Sequence, residues 1–272
     1  RALILADEIS FERVKFSLVF GEVSDGGENN FFVNGNHVSM FDIIQKTRDD
    51  YNKIAKHFSG TRYDTWPELE QFKPYIEDGQ RILDWGCGNG RLLLLMKDKQ
   101  VEYFGVDQAA SLLNIAKKKY AEEVKSGKAK FFSTAFKEKK FDDNFFDLAF
   151  MIASFFHLPD KKGRLKLLKK TYAELKPGGE LLMTVWNLGS DWAKKKMKKE
   201  WKILGKNDFL IPWKNADGKV EAERYYHHFT KAELKELLEE AGFKIEIMNY
   251  YDKNNWSDSK GGRNLVVVAT KR

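Results

Sequence analysis

The 272 residues carry 47 Lys and Arg against 40 Asp and Glu, a net charge of +7, with 42% apolar and 32% charged residues. This excludes a disordered, collagen-like or coiled-coil chain and leaves one large α/β domain or two small ones. A pI near 9.1 leans toward an anionic partner, and Cys87, the single cysteine, excludes an intrachain disulfide and a cysteine-based zinc cluster. No apolar run approaches the roughly 18 residues of a membrane span. The opening RALILADEISFERVKF carries charges where a signal peptide stays apolar. A soluble, cytoplasmic protein without membrane association is expected.

Residues 1–39 differ from the rest. Apolar positions alternate at Val14, Phe16, Leu18 and Phe20, and an Asn34-Gly35 turn signal follows a Gly/Asn/Asp-rich stretch. This is an N-terminal extension of unassigned role. It reads equally as an appended β-hairpin, a fragment of something longer, or sequence upstream of a start at Met40.

From 40 to 272 the pattern alternates. An amphipathic helix over about 40–58 places Phe41, Ile44, Tyr51, Ile54, Ala55 and Phe58 near one face. Strand 81–86 leads through a glycine-rich turn into a helix with Leu92, Leu95 and Met96. Strand 101–107, a helix over about 110–124, and strands 129–133 and 147–152 come next. A helix near 161–175 is expected to stop at Pro177-Gly178-Gly179, before strand 180–186. Residues 187–228 are Lys-rich, bear tryptophans and are too long for a simple connection. Thr230 and Glu233 make a capping box for a helix closed by Gly242. Strands 244–251 and 264–270 finish the chain. Strand–helix alternation ending in two consecutive strands predicts an α/β fold: a mostly parallel sheet with an antiparallel edge strand and helices on both faces.

The segment RILDWGCGNGRLL (81–93) carries the strongest chemical signal. A strand ends, Gly86, Gly88 and Gly90 alternate, and a helix begins. Glycines permit a sharp turn and let the backbone approach a ligand closely. The GxGxG spacing differs from the GxGxxG of dinucleotide folds, which disfavours a nicotinamide dehydrogenase. Asp84 at the strand end would repel a pyrophosphate and welcome a cationic or zwitterionic ligand. Asp107, at the end of the next strand, is placed to take both hydroxyls of a ribose.

This segment resembles motif I of class I S-adenosylmethionine-dependent methyltransferases. FDLAFMIASFFHL (146–158) is similar to their motif IV, and LKPGGELLMTVW (175–186) to the motif VI loop and strand. The resemblance implies a seven-stranded Rossmann-like sheet and S-adenosylmethionine as cofactor. It sets Asp84 near the methionine amino end, Gly86, Gly88 and Gly90 along the cofactor, and Asp107 with Gln108 on the ribose. Ala135 and Phe136 would flank the adenine, and Ile152 would touch the methionine portion. The chain departs from the family at Ser133-Thr134-Ala135, where many members carry an Asp.

A narrower resemblance covers about 40–272. The blocks DDYNKIAKHFSGTRYDTWPELEQF (49–72), NDFLIPWK (207–214), RYYHHFTKAELKELLEEAGF (224–243) and YYDKNNW (250–256) are similar to the tRNA wobble-uridine carboxymethyl methyltransferases. That family esterifies the carboxylate of 5-carboxymethyluridine at the first anticodon position. The likeness implies that Arg62, Tyr63, Asp64, His157, Arg224 and Tyr225 face the acceptor. It also implies tRNA, through its anticodon loop, as partner, with a small zinc-binding activator subunit in some relatives. A small-molecule methyltransferase acting on a quinone, sterol or carboxylic acid is the alternative reading, and a binding module that has lost its acceptor site is a third.

The chemistry is coherent without the family. A carboxylate is ionised at neutral pH and needs no general base to attack a methyl group. It must be brought in line with the sulfonium, and water must be excluded. A guanidinium clamping both oxygens would stabilise the ground state more than the transition state. Arg62 and Arg224 are therefore expected to orient one oxygen, the base or a phosphate. His157 reads as a proton acceptor or a positioning hydrogen bond. His227 and His228 lack partners for a metal site, so no metal is expected, and Cys87 reads as a small residue in the turn. The lysine run 194–199 reads as a solvated helix face or as phosphate contacts.

Overall fold

The structure, a computed structural model, describes residues 31–33, 36–62, 64, 66–134, 139–253 and 255–272. The alternation over 1–30 and the Asn34-Gly35 turn lie outside the described residues. β1 (Phe31–Val33) and β2 (Asn36–Val38) pair antiparallel. Helix α1 (Met40–Gly60) starts from a full capping box, with Asp42 N donating to Ser39 Oγ and Ser39 N donating back to the Asp42 carboxylate.

The remaining elements follow in order: a 3-10 segment Pro67–Tyr75, β3 (Arg81–Trp85), a 3-10 turn Arg91–Met96, β4 (Glu102–Asp107), α2 (Ala110–Lys119), α3 (Ala121–Lys125), β5 (Ala129–Ser133) and β6 (Phe146–Ile152). The chain continues through a 3-10 turn Phe155–His157, α4 (Lys161–Glu174), β7 (Leu175–Trp186), α5 (Asp191–Glu200), β8 (Lys202–Ile203), β9 (Asp208–Lys214) and β10 (Val220–His227). It ends with α6 (Lys231–Glu240), β11 (Phe243–Asp252), β12 (Asn255–Ser257) and β13 (Asn264–Lys271).

The main sheet runs β12-β11-β13-β7-β6-β3-β4-β5. Strands β3 to β7 pair in parallel, and β13 inserts antiparallel between β7 and β11. The α/β architecture is the expected one, with two differences of detail. The three-residue β12 folds back on β11 and makes eight strands of seven, and β13 lies inside the sheet where an edge strand was expected.

Each central strand divides its side chains between two cores, as the two-residue period requires. Leu83, Phe104, Ala149 and Met183 face a core completed by Leu167 and Leu168 of α4 and Leu234, Leu237 and Leu238 of α6. Ile82, Tyr103, Leu148 and Leu182 face a second core completed by Leu69, Phe72, Leu93 and Leu113. Both faces are covered, so the ends of the strands are what remain for a ligand.

Four features differ from the sequence reading. The helix expected to carry Leu92, Leu95 and Met96 is a six-residue 3-10 turn, Arg91–Met96. The helix expected over 110–124 breaks at Tyr120. The helix expected to stop at Pro177 ends at Glu174; β7 begins at Leu175, and residues 176–179 bulge between the Phe146↔Leu175 and Leu148↔Glu180 pairs. The 187–228 insertion is a folded unit, α5 followed by a β10-β9-β8 sheet, and β10 packs on α1.

Candidate active site

A pocket lies over the C-terminal ends of β3, β4 and β6, where open α/β sheets place their ligands. Asp84, Gly86, Gly88, Asp107, Gln108, Ile152, Arg62 and His157 all line it, so sequence positions 62 to 157 converge on one cavity.

The glycine turn is built for close approach. Gly86, Gly88 and Gly90 have φ of 78°, 56° and 74°, in the left-handed region. A Cβ on Gly86 would stand 2.4 Å from Ser154 Cβ, whereas one on Gly88 would meet nothing nearer than Leu112 Cδ1 at 4.0 Å. Gly86 thus lets β3 meet the end of β6, and Gly88 keeps open the space beside the pocket. Gly90 packs under the ring of Tyr120 and does not itself line the cavity.

Two buried carboxylates frame the turn. Asp107 accepts from Gly88 N at 2.9 Å and Ala109 N at 2.8 Å. Burial raises its pKa against those bonds, and each oxygen keeps a lone pair for a further donor. Asp84 accepts from Tyr103 Oη at 2.6 Å. Burial pushes its pKa to about 7; the Tyr103 bond opposes that shift and the nearby Asp107 charge adds to it.

A cationic and aromatic cluster adjoins the pocket. The Arg62 guanidinium lies 5.1 Å from the Phe58 ring centre, 5.9 Å from Trp66 and 5.6 Å from Trp213. Arg91 sits 3.9 Å over Trp66, and burial together with the charge of Arg62 lowers its pKa to about 9. Arg224 lies 5.0 Å over Trp213 and 5.4 Å over Tyr51. Two arginines far apart in sequence therefore share Trp213. The Nε atoms of Arg62 and Arg224 are buried without a hydrogen-bond partner among the described residues.

His157 is held at both nitrogens. Nδ1 lies 2.6 Å from the carbonyl of Tyr225, which can only accept, so Nδ1 carries the proton. Nε2 then accepts from Tyr51 Oη at 2.9 Å, and that oxygen accepts from Arg224 Nη1 at 3.2 Å. Burial lowers the His157 pKa to about 3, with Arg224 contributing and the Tyr225 carbonyl opposing. The imidazole is neutral and its lone pair is occupied.

Residues 56–246 match the family model of a methyltransferase domain. The chain belongs to this methyltransferase family. It is 31% identical over 224 residues to the tRNA (carboxymethyluridine(34)-5-O)-methyltransferase of Schizosaccharomyces pombe, covering 76% of this chain and 91% of that protein. It is 26% identical over 254 residues to the tRNA (carboxymethyluridine(34)-5-O)-methyltransferase alkbh8 of Xenopus tropicalis, 76% of this chain but 39% of that longer protein. Among solved structures, a SAM-dependent methyltransferase from Methanosarcina mazei matches with a TM-score of 0.59 at 26% identity, covering 76% of this chain and 98% of that one. A putative methyltransferase of Haloferax volcanii, solved in complex with a methyltransferase activator, matches in fold at a TM-score of 0.61 and 17% identity, covering 83% and 97%.

The methyltransferase pocket fits S-adenosylmethionine. Asp84 suits an α-ammonium, Asp107 and Gln108 suit ribose hydroxyls, and the bare Cα of Gly88 gives a flat ligand room. When bound, this cofactor supplies a sulfonium methyl group for transfer. Leu69, Leu112, Ile152 and Leu158 form the apolar part of the lining, and Arg62 joins it to the Trp213–Arg224 cluster.

The remaining candidates fall elsewhere. Ala135, Phe136 and Tyr63 lie outside the described residues, and Asp64 is exposed. Tyr225 does not reach the pocket: alternation along β10 puts Arg224 and Tyr226 on one face and Tyr225 on the other, where its hydroxyl bonds Asp208 and stands 3.5 Å from Arg164. Arg224 is not itself a lining residue and meets the site through Tyr51 and Trp213. His227 bridges Asp208 at 2.8 Å and Glu233 at 2.9 Å, tying the insertion to α6. Cys87 lines the pocket, but burial and the charges of Asp107 and Asp84 raise its pKa well above the usual thiol value, so it stays a thiol.

Tyr51, Trp66, Arg91 and Ala153 also line the pocket and lie inside the quoted blocks, but nothing local singles them out as site residues. Tyr51 reads as one more apolar position of α1, and Arg91 as the first residue after a glycine turn. Ala153 adopts φ 50°, strained for a residue with a Cβ; its N–H donates to Thr184, and its residue type gives no sign of that backbone.

Proposed function

We propose that this methyltransferase transfers a methyl group from S-adenosylmethionine to the carboxylate of 5-carboxymethyluridine at the wobble position of tRNA. The observation that carries the reading is the state of His157. Its lone pair is engaged by Tyr51 and burial lowers its pKa to about 3, which makes it a poor proton acceptor, and a pre-ionised nucleophile is the acceptor that needs none. The likeness to the Schizosaccharomyces pombe enzyme supplies the substrate class. Arg62 and Arg224, poised on aromatic rings with unpartnered Nε atoms, suit an anionic nucleotide.

The anticodon loop as the contacted part of the tRNA belongs to this proposal, and so do a cytoplasmic location and the activator subunit. Among the described residues no helix is long and apolar enough to cross a membrane, and the sheet ends at β5 in an unpaired edge to which a partner strand could add. The catalytic unit at 40–272, with 1–39 as an extension, is likewise a proposed division. Nucleoside mass spectrometry of tRNA from cells with and without the gene tests the function: the carboxymethyluridine methyl ester should vanish with the gene. An unchanged ester level would overturn the reading in favour of a small-molecule acceptor.

A further inference from the structure

A second cavity of about 190 Å³ opens beside the first, at the C-terminal end of β7 and the start of β13. Its walls include Trp66, Trp186 and Trp192, with Arg263, Asn264 and Glu68. Trp66 lines both cavities and is the wall between them. We propose that this pocket is a second base-binding site, taking an unpaired nucleobase that adjoins the nucleotide being methylated.

Four observations carry the inference, which rests on the RNA reading above. Trp192 is 39% exposed although it is a large aromatic, and the Arg263 guanidinium lies 5.3 Å over its ring, so a flat cationic and aromatic surface faces solvent. Asn264 is 8% exposed, and its Oδ1 is buried with no hydrogen-bond partner among the described residues. A buried acceptor without a donor costs stability, and an N–H on a base edge would satisfy it. Glu68 in the same wall disfavours a phosphate, so the occupant is a base. Trp192 also sits in the first turn of α5, whose Lys195, Lys198 and Lys199 are exposed, so the strand leaving the pocket meets cations suited to its phosphates.

The test measures affinity of the full chain for substrate tRNA by fluorescence anisotropy across a salt series, with calorimetric S-adenosylmethionine affinity as the control. The tRNAs are the intact molecule and a set with single abasic nucleotides in the anticodon loop. Stacking on one aromatic side chain has a size that makes Trp192→Ala bind roughly tenfold more weakly, with the salt slope and cofactor affinity unchanged. Asn264→Ala should weaken binding in the same direction, and Trp192→Phe should stay within about threefold of wild type. One abasic position should cost the wild type the same factor and cost Trp192→Ala nothing more. Equal abasic penalties in the two proteins would overturn the site. So would a salt slope that falls together with affinity, because Trp192 would then only anchor the lysine helix. Failure of the wild type to bind tRNA at all would overturn the functional reading, and this site with it.

Discussion

Tyr51 Oη stands 2.9 Å from His157 Nε2 and in turn accepts from Arg224 at 3.2 Å. One hydroxyl of α1 therefore fixes the histidine of the strand end and the arginine of the insertion together. Tyr51→Phe removes both bonds and leaves the Nε2 lone pair and part of a guanidinium unsatisfied. Bonds to charged groups are worth about 1.5–3 kcal/mol, so kcat/KM should fall roughly 10- to 100-fold with S-adenosylmethionine affinity little changed. Steady-state kinetics beside calorimetry checks this split. An equal loss of cofactor binding would mean that α1 had shifted as a whole.

The pH profile follows from the same trio. His157 is held neutral with a pKa of about 3, and the acceptor carboxylate is ionised throughout the neutral range. If chemistry limits turnover, kcat should be roughly flat between about pH 6 and 8, and His157→Gln, which keeps a donor and an acceptor, should retain substantial activity. A rate climbing with pH, together with a nearly dead His157→Gln, would point to a hydroxyl, phenol or amine acceptor.

Asp84 gives a prediction with opposite signs for binding and stability. Its folded-state pKa of about 7 lies above the usual 3.8. The stability it contributes is therefore present below about pH 4 and lost as pH rises through 7. Asp84→Asn should raise the melting temperature of the unliganded protein at pH 8. The same change should weaken S-adenosylmethionine binding roughly 100-fold through the lost ammonium partner. Wild-type affinity should fall about tenfold per unit below pH 7, as the carboxylate must ionise to bind. Thermal denaturation and calorimetry at pH 6, 7 and 8 measure both effects.

The glycine turn separates folding from binding. Gly86→Ala would put a Cβ 2.4 Å from Ser154 Cβ at φ 78°, at a cost of about 2–4 kcal/mol in strain and overpacking, seen as a melting-temperature drop of about 5–10 °C. Gly88→Ala meets no atom nearer than 4.0 Å and has only the left-handed backbone to strain, so it should cost less stability and chiefly cofactor affinity. Comparable melting temperatures for the two variants would contradict the packing argument.

Legibility in the sequence tracked locality. The strand and glycine turn around Gly86, Gly88 and Gly90, and the acids Asp84 and Asp107 one strand apart, sit in short segments where backbone need dictates residue type. The pairing of Arg62 with Arg224 was legible only through the family blocks, since nothing local says that α1 and β10 meet. The network of Asp208, His227, Glu233 and Arg164 was not legible as a unit: His227 reads as half of a histidine pair and Glu233 as a capping-box acid, because a buried polar cluster assembles from four separate elements. Tyr225 was misplaced for a different reason. A strand inside the insertion was not anticipated, and without its two-residue alternation Arg224 and Tyr225 looked like neighbours on one surface.

The same network and the lysine helix give the last expectation, because each joins the insertion to a different partner. His227 lies between two carboxylates in a site where it is 5% exposed; removing it in His227→Ala deletes both hydrogen bonds and should cost about 3 kcal/mol of stability without touching the pocket. Lys194, Lys195, Lys198 and Lys199 are exposed on α5, and Lys194 spends part of its charge on Asp191 at 3.8 Å. Each lysine that neutralises a phosphate releases about one counterion. Replacing all four by Ala should therefore flatten the plot of log affinity against log salt by about three while leaving the melting temperature and cofactor affinity near wild type. Filter-binding or anisotropy titrations of tRNA between 50 and about 200 mM salt measure that slope. An unaltered slope would return the run to a solvated helix face and move the electrostatic contact to Arg62, Arg91 and Arg224.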